Sequence, residues 1–235
     1  MAGTLYVVAT PIGHLEDITL RALRVLRAVD RILAEDTRHT ALLLRHYRIR
    51  KPLVSYHEHN ERQRAGEALA WLEAGEELAL VSDAGTPALS DPGYRLIRLA
   101  AERGVRVSPV PGAMAAVAAL SASGLPTDAF TFAGFPPRRV GPRRRWLEQL
   151  AAEPRTVILY EAPERVARTL AEMREIFGGE RRAVVARELT KAFEEFRRGR
   201  LDELAHLATE GRPRGEHVLL VEGAGRRRVA EEGNA

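Results

Sequence analysis

The sequence predicts an α/β protein of two domains, with a mostly parallel first sheet and a mixed second sheet. Three observations carry this. Short β-rich apolar runs alternate with amphipathic runs through most of the 235 residues, the rhythm of βαβ units. Two strand-like runs follow one another directly, at Ala183–Arg187 and near Phe193–Arg197, and break that rhythm in the second half. The stretch Gly124-Leu125-Pro126-Thr127 reads as a domain joint. The predicted domains are 1–123 and 124–223, followed by a charged, frayed tail at 224–235.

In the first half, Leu5–Ala9 reads as a strand. Thr19–Val29 reads as a helix, with Leu20, Leu23, Leu26 and Val29 on its apolar face. Strand Arg31–Ala34 and helix Arg38–His46 follow, then strand Pro52–Ser55 and helix Asn60–Ala74, closed by Gly75. Strand Glu77–Val81 precedes helix Pro92–Arg103, closed by Gly104. Strand Val105–Val110 precedes helix Ala113–Ser121. Beyond the joint come strand Phe130–Ala133, a basic loop at Pro136–Arg145 and helix Trp146–Ala152. Strand Thr156–Tyr160, helix Glu164–Phe177, the two successive strands, helix Leu201–Thr209 and strand Glu216–Val221 complete the order.

Composition excludes several classes. The absence of cysteine removes a disulfide scaffold, a zinc ribbon, an iron–sulfur cluster and a thiol nucleophile. No apolar run approaches the ~20 residues of a membrane helix, and the N-terminus lacks a basic segment followed by a long apolar one. The expectation is a cytoplasmic protein without a membrane partner. The net charge of +4 permits a nucleic-acid partner without requiring one. Of the basic residues 34 are Arg, and only Lys51 and Lys191 are Lys, which singles out each Lys.

The polar clusters follow predicted strands. They are Thr10-Pro11-Ile12-Gly13, Glu35-Asp36-Thr37-Arg38-His39, Tyr56-His57-Glu58-His59-Asn60-Glu61, Ser82-Asp83-Ala84-Gly85-Thr86-Pro87 and Pro111-Gly112. In a parallel sheet these segments share the rim at the strands' carboxyl ends, where open α/β sheets bind ligands. Tyr160-Glu161-Ala162-Pro163 and Arg187-Glu188-Leu189-Thr190-Lys191 also follow strands, and one crevice between two domains would gather them all.

Neither G-x-G-x-x-G nor G-x-x-x-x-G-K-[ST] is present, which disfavours a dinucleotide and ordinary NTP hydrolysis. A ligand built from adenosine and an amino acid needs no phosphate cradle. Asp83, Gly85 and Thr86, with Pro111-Gly112-Ala113, supply an acid, close backbone approach and small walls. His57 and His59, beside Glu58 and Glu61, have ligand-pair spacing but no third fixed ligand, and no metal is expected. No G-x-S-x-G elbow marks a serine hydrolase. Pro136–Arg145 holds five Arg, either a grip on a phosphate backbone or a solvated loop. Arg226-Arg227-Arg228 reads as solvated tail.

Eight segments, in order, resemble one family. They are Leu5–Gly13, Leu15–Leu23, Ala34–Thr40, Val81–Pro87, Ser90–Tyr94, Ala119–Pro126, Arg187–Lys191 and Gly215-Glu216. The chain resembles the ribosomal RNA small-subunit 2′-O-ribose methyltransferase I family, a branch of the tetrapyrrole methylase superfamily. It departs from the family pattern at His14, at Glu164 and at Ala113-Met114.

The resemblance implies a tetrapyrrole-methylase-like fold with a cofactor cleft between the domains, S-adenosyl-L-methionine as cofactor, and a homodimer. It implies methylation of a cytidine 2′-oxygen in the decoding region of small-subunit ribosomal RNA, free or in the assembled subunit. Pro11, Asp83, Gly85, Thr86, Met114 and Ala115 would line the cofactor, with Tyr160 and Gly215 closing it. The ribose hydroxyl needs a base or a charge that favours the alkoxide. The candidates are Glu35, Asp36, His39, Glu188 and Lys191, with Lys191 expected to have a lowered pKa. The alternative for Glu188 and Lys191 is a structural ion pair. Arg38, His39 and the Arg138–Arg145 tract, above all Arg143, Arg144 and Arg145, would hold RNA, and Tyr56 would stack on a splayed base. A tetrapyrrole methyltransferase, a non-catalytic RNA-binding protein and a magnesium-dependent nucleotide hydrolase are the rivals.

Overall fold

The computed structural model describes residues 2–207 and 215–225. Arg226-Arg227-Arg228 and the end of the predicted helix Leu201–Thr209 lie outside them. The chain divides into two compact units, 1–114 and 115–235.

The first unit is a five-stranded sheet of β1 (Thr4–Val8), β2 (Arg31–Ala34), β3 (Leu53–Ser55), β4 (Leu78–Val81) and β5 (Arg106–Val110). The order is β3-β2-β4-β1-β5, and every pairing is parallel. Its helices are α1 (Leu20–Ala28), α2 (Thr37–His46), α3 (Glu61–Glu73) and α4 (Tyr94–Glu102). Alternate strand residues serve opposite faces. Ile32, Ala34, Ala79 and Val81 pack with Ala22, Leu26 and Leu43 of α1 and α2. Leu33, Leu78 and Leu80 pack with Ala68, Leu72 and Leu96 of α3 and α4. Burial on both faces explains why these strands read as continuous apolar runs. The Thr19 hydroxyl accepts the Ala22 N–H at 3.0 Å and caps α1.

The second unit opens with α5 (Ala115–Ser123). It continues with β6 (Phe130–Phe132), α6 (Val140–Ala151), β7 (Thr156–Glu161), α7 (Val166–Phe177), β8 (Arg182–Arg187), β9 (Glu195–Arg200), α8 (Leu201–Leu207) and β10 (His217–Val221). The sheet order is β6-β7-β10-β8-β9. Only β6–β7 is parallel; the other three pairings are antiparallel. Leu147, Leu159, Leu170, Met173, Val185 and Leu219 centre its core.

Two predicted boundaries move. The units divide before α5 rather than at Gly124, because α5 packs against β7, β8 and β10. The helix predicted from Trp146 starts at Val140, so much of the predicted basic loop is helical. Arg is a good helix former. Pro142 sits in the first turn, where a missing N–H costs no intrahelical bond.

Candidate functional site

The carboxyl rim of the first sheet is fastened by its own backbone. Thr10 N–H donates to Gly85 O at 2.8 Å and Gly85 N–H returns to Thr10 O at 3.1 Å. The Thr10 hydroxyl reaches Ser82 O at 3.1 Å, and the Thr86 hydroxyl donates to Ala113 O at 3.0 Å. The loops after β1, β4 and β5 therefore form one platform, and Pro11, Asp83, Gly85 and Thr86 all lie on it. Gly85 holds φ at +84°, which suits glycine. A Cβ on Gly112 would stand 2.9 Å from the Ala9 Cβ. Two glycines thus let backbone approach closely where the sequence reading expects a nucleoside.

Beside the platform, Asp36 N–H donates to Asp83 Oδ1 at 3.0 Å. The Asp36 carboxylate caps α2 through Arg38 N–H at 2.8 Å and also receives the Arg38 guanidinium at 2.8 and 3.1 Å. Those bonds hold its pKa far below the usual carboxylate range. Asp36 thereby anchors the start of α2. Arg38 and His39 are exposed at the start of α2.

Glu35 behaves differently. Burial, and then the charge of Asp83, push its pKa up. The sequence reading did not assign Asp91, yet burial, and then the charge of Glu35, raise it to about 6, against the pull of a Ser82 hydrogen bond. Asp91 was visible only within the Ser90–Tyr94 segment of the family resemblance. His57 also faces Glu35 electrostatically. Its Nδ1 is buried without a hydrogen-bond partner, while Nε2 meets Asn60 Nδ2 at 3.2 Å. Among the described residues, no group of three or more His, Cys, Asp or Glu is placed to hold a metal ion.

Tyr56 is a correction. Its ring is 1% exposed within the core on the α3–α4 side, and burial first of all pushes its hydroxyl to about 12. A side chain enclosed there has no face to offer a base.

In the second unit, Ala116 N–H donates to the Tyr160 hydroxyl at 3.1 Å, satisfying one free donor at the start of α5. Tyr160 also meets Phe132 and Phe135 edge-on, at 4.8 and 5.5 Å. Met114 and Ala115, directly before Ala116, are half-buried.

The segment after β8 is a strained, cross-braced loop. Glu188 and Thr190 hold φ at 49° and 63°, a conformation costly for these residue types. Lys191 Nζ reaches Glu188 Oε1 at 3.1 Å and Glu216 Oε2 at 2.8 Å. Glu216 N–H donates to Glu188 Oε1 at 3.0 Å. A Cβ on Gly215 would collide with the Glu188 carboxylate. The Glu216 N–H holds the Glu188 pKa down. Burial pulls Lys191 down, but the hydrogen bonds from Glu216 and Glu188 outweigh it and leave the pKa raised. The expected lowering of the Lys191 pKa is overturned, since two carboxylates hold its proton.

Arg143 is a second correction. It is 1% exposed and grips Glu172 with Nε at 2.6 Å and Nη2 at 2.8 Å. It is a structural strut, with no exposed guanidinium for RNA. Arg144 pairs with Glu175 at 2.7 Å, and Arg145 is exposed.

The fold agrees with the comparisons. The tetrapyrrole (corrin/porphyrin) methylase family matches residues 4–205. A ribosomal RNA small subunit methyltransferase I from Pseudomonas aeruginosa is 55% identical over 224 residues, covering 94% of this chain and 79% of that protein. One of the same name from Escherichia coli O157:H7 is 51% identical, covering 94% and 78%. The solved structure of a cobalt precorrin-4 methyltransferase shares the fold, with TM-score 0.69, 20% identity, and 93% and 94% of the two chains covered. So does a uroporphyrin-III C-methyltransferase from Thermus thermophilus, solved with S-adenyl homocysteine, with TM-score 0.64, 21% identity, and 93% and 97% covered. The chain belongs to the tetrapyrrole methylase family and, within it, to the ribosomal RNA small subunit methyltransferase I group, and is a methyltransferase.

Proposed function

We propose that this protein transfers a methyl group from S-adenosyl-L-methionine to the ribose 2′-oxygen of a cytidine in the decoding region of small-subunit ribosomal RNA. The observation that carries the reading is the identity of 51–55% to proteins named for that ribosomal subunit, over 94% of the chain. The family resemblance supplies the cytidine and the 2′-oxygen. It also supplies the homodimer and the cytoplasmic setting. Among the described residues no helix is long and apolar enough to cross a membrane.

The rim of the first unit suits the cofactor. The Asp83 carboxylate and the carbonyls around Gly85 are acceptors for an ammonium group and for ribose hydroxyls. Gly85 and Gly112 let the rim loops pack closely against Ile12, Ala113 and Ala9, and Ala113 adds a small wall. The family resemblance assigns Pro11, Thr86, Met114, Ala115, Tyr160 and Gly215 to the same cofactor. When bound, the cofactor supplies an electrophilic methyl on sulfur, so no metal is required.

The remaining task is the hydroxyl proton. Glu35 is the assigned acceptor, with Asp91 and Asp83 around it. A carboxylate whose pKa burial and a neighbouring charge have raised is a stronger base than an ordinary one. Glu188 and Lys191 are assigned to orientation and charge, with the Lys191 ammonium held by Glu188 and Glu216. Arg38, His39 and Arg145 are assigned to the RNA phosphates.

The test is methyl transfer from labelled S-adenosyl-L-methionine to unmodified small subunits, with naked ribosomal RNA alongside. The product is mapped by nuclease digestion and mass spectrometry. A single 2′-O-methylcytidine supports the reading. Cofactor binding without transfer to either RNA sinks it.

A further inference from the structure

Phe135 is 52% exposed, although an isolated phenyl ring gains by leaving water. It sits on the short connection from β6 to α6, between Gly134 at φ +69° and the stiff pair Pro136-Pro137. One ring edge rests against Tyr160 at 5.5 Å.

This connection is held from beneath. Tyr160 N–H donates to Gly134 O at 3.0 Å. Arg165 Nη1 donates to Pro136 O at 3.4 Å, and the buried Arg143 Nη1 donates to Arg138 O at 3.0 Å. The arginine that is unavailable to a ligand thus shapes the loop above it.

The outer side carries Arg138 and Arg139, both exposed. Among the described residues, neither guanidinium has an ion pair or side-chain hydrogen bond. That contrasts with Arg144, which is answered by Glu175. A pre-ordered aromatic face flanked by two uncommitted guanidinium groups matches what an unpaired nucleotide needs: a π-surface for the base and fixed positive charge for the phosphates. A rigid loop also lowers the ordering cost of binding.

We infer that Phe135 is a stacking platform for an unpaired nucleobase of the RNA substrate, with Arg138 and Arg139 holding the adjoining phosphates. This rests on the RNA substrate proposed above, and it replaces the stacking role expected of Tyr56.

The experiment uses a fluorescein-labelled hairpin of the small-subunit decoding region, read by anisotropy across a salt series. Wild type, Phe135→Ala, Phe135→Trp and Arg138→Gln/Arg139→Gln are compared. Cofactor affinity is measured by calorimetry and oligomeric state by light scattering. Phe135→Ala is expected to weaken RNA binding about ten-fold with an unchanged salt slope. Phe135→Trp is expected to keep the affinity and show tryptophan quenching on RNA addition. The double variant is expected to flatten the slope by about 1.4, as for two single-strand phosphates.

Wild-type affinity in Phe135→Ala, with wild type itself binding and methylating the RNA, overturns this inference alone. Wild type that neither binds the hairpin nor methylates small subunits or naked ribosomal RNA overturns the functional reading beneath it. Loss of cofactor affinity without loss of RNA affinity, or a changed oligomeric state in Phe135→Ala, also overturns it. The ring would then belong to the cofactor site or to a contact between copies.

Discussion

The backbone N–H of Asp36 donates to Oδ1 of Asp83 at 3.0 Å, so the end of β2 is tied to the end of β4 by an acid whose charge also bears on Glu35 and Asp91. One carboxylate therefore sets loop geometry and tunes two neighbours. In Asp83→Asn the amide oxygen still accepts the Asp36 N–H, but the charge is gone. Glu35 and Asp91 then ionise more easily. The acidic limb of kcat against pH is expected to move to lower pH, and cofactor affinity to fall. An unmoved limb would remove both carboxylates from the rate-controlling ionisation.

Asp91 makes a second prediction, for stability. Its folded pKa, about 6, lies above the ordinary 3.8, so the folded state binds the proton more tightly than the unfolded one. The stabilising effect is fully present below pH ~4 and is lost as pH rises through ~6. Asp91→Asn relieves the buried charge at pH 7.5 and is expected to raise stability by roughly 1 kcal/mol, discounted for partial solvent screening. The gain should vanish at pH 4. Thermal unfolding at the two pH values checks the sign, and an equal gain at both would exclude the ionisation.

Arg143 and Glu172 form the buried pair of the second unit, with side chains 1% and 9% exposed. Removing Arg143 leaves the buried Glu172 carboxylate with only the exposed Arg168, at 3.5 Å. Arg143→Met is expected to cost about 3–5 kcal/mol, and Arg143→Met/Glu172→Met much less. Arg143→Lys does not substitute, because an ammonium lacks the fork that meets both carboxylate oxygens. Denaturant unfolding of the three variants gives the order. A double variant as unstable as the first single would show that the pair itself carries the stability.

These cases show where the sequence is legible. Strands such as β2 and β4 are plain because, after Arg31 at the start of β2, every residue in them is apolar. The rim followed from them, since Asp36, Asp83 and Gly85 each come directly after a strand. Tyr56 and Arg143 were misplaced because each has an amphipathic side chain whose fate is set by a distant partner. For Arg143 that partner is Glu172, 29 residues on. Asp91 was missed because its coupling to Glu35 depends on sheet order, which puts β2 beside β4. The Arg-rich composition of 138–145 resembles a solvated loop until α7 supplies the matching carboxylates.

Lys191 gives the last prediction. Its ammonium lies between Glu188 and Glu216, and its pKa is raised, so it cannot shed a proton readily near pH 7. If it contributes charge, Lys191→Arg keeps most of the turnover rate and Lys191→Met loses it, with no ionisation between pH 7 and 9 lost in either. Lys191→Met also leaves Glu188 facing Glu216 without a cation, which loosens the strained segment and weakens its hold beside Gly215. Gly215→Ala should reproduce that loosening from the other side, because its Cβ meets the Glu188 carboxylate and φ of +80° is costly for alanine. Turnover with saturating RNA, read with hydrogen exchange over 187–194, separates the two effects. Loosening in Gly215→Ala at full turnover would show that the charge of Lys191, and not the rigidity of its loop, is what the reaction uses.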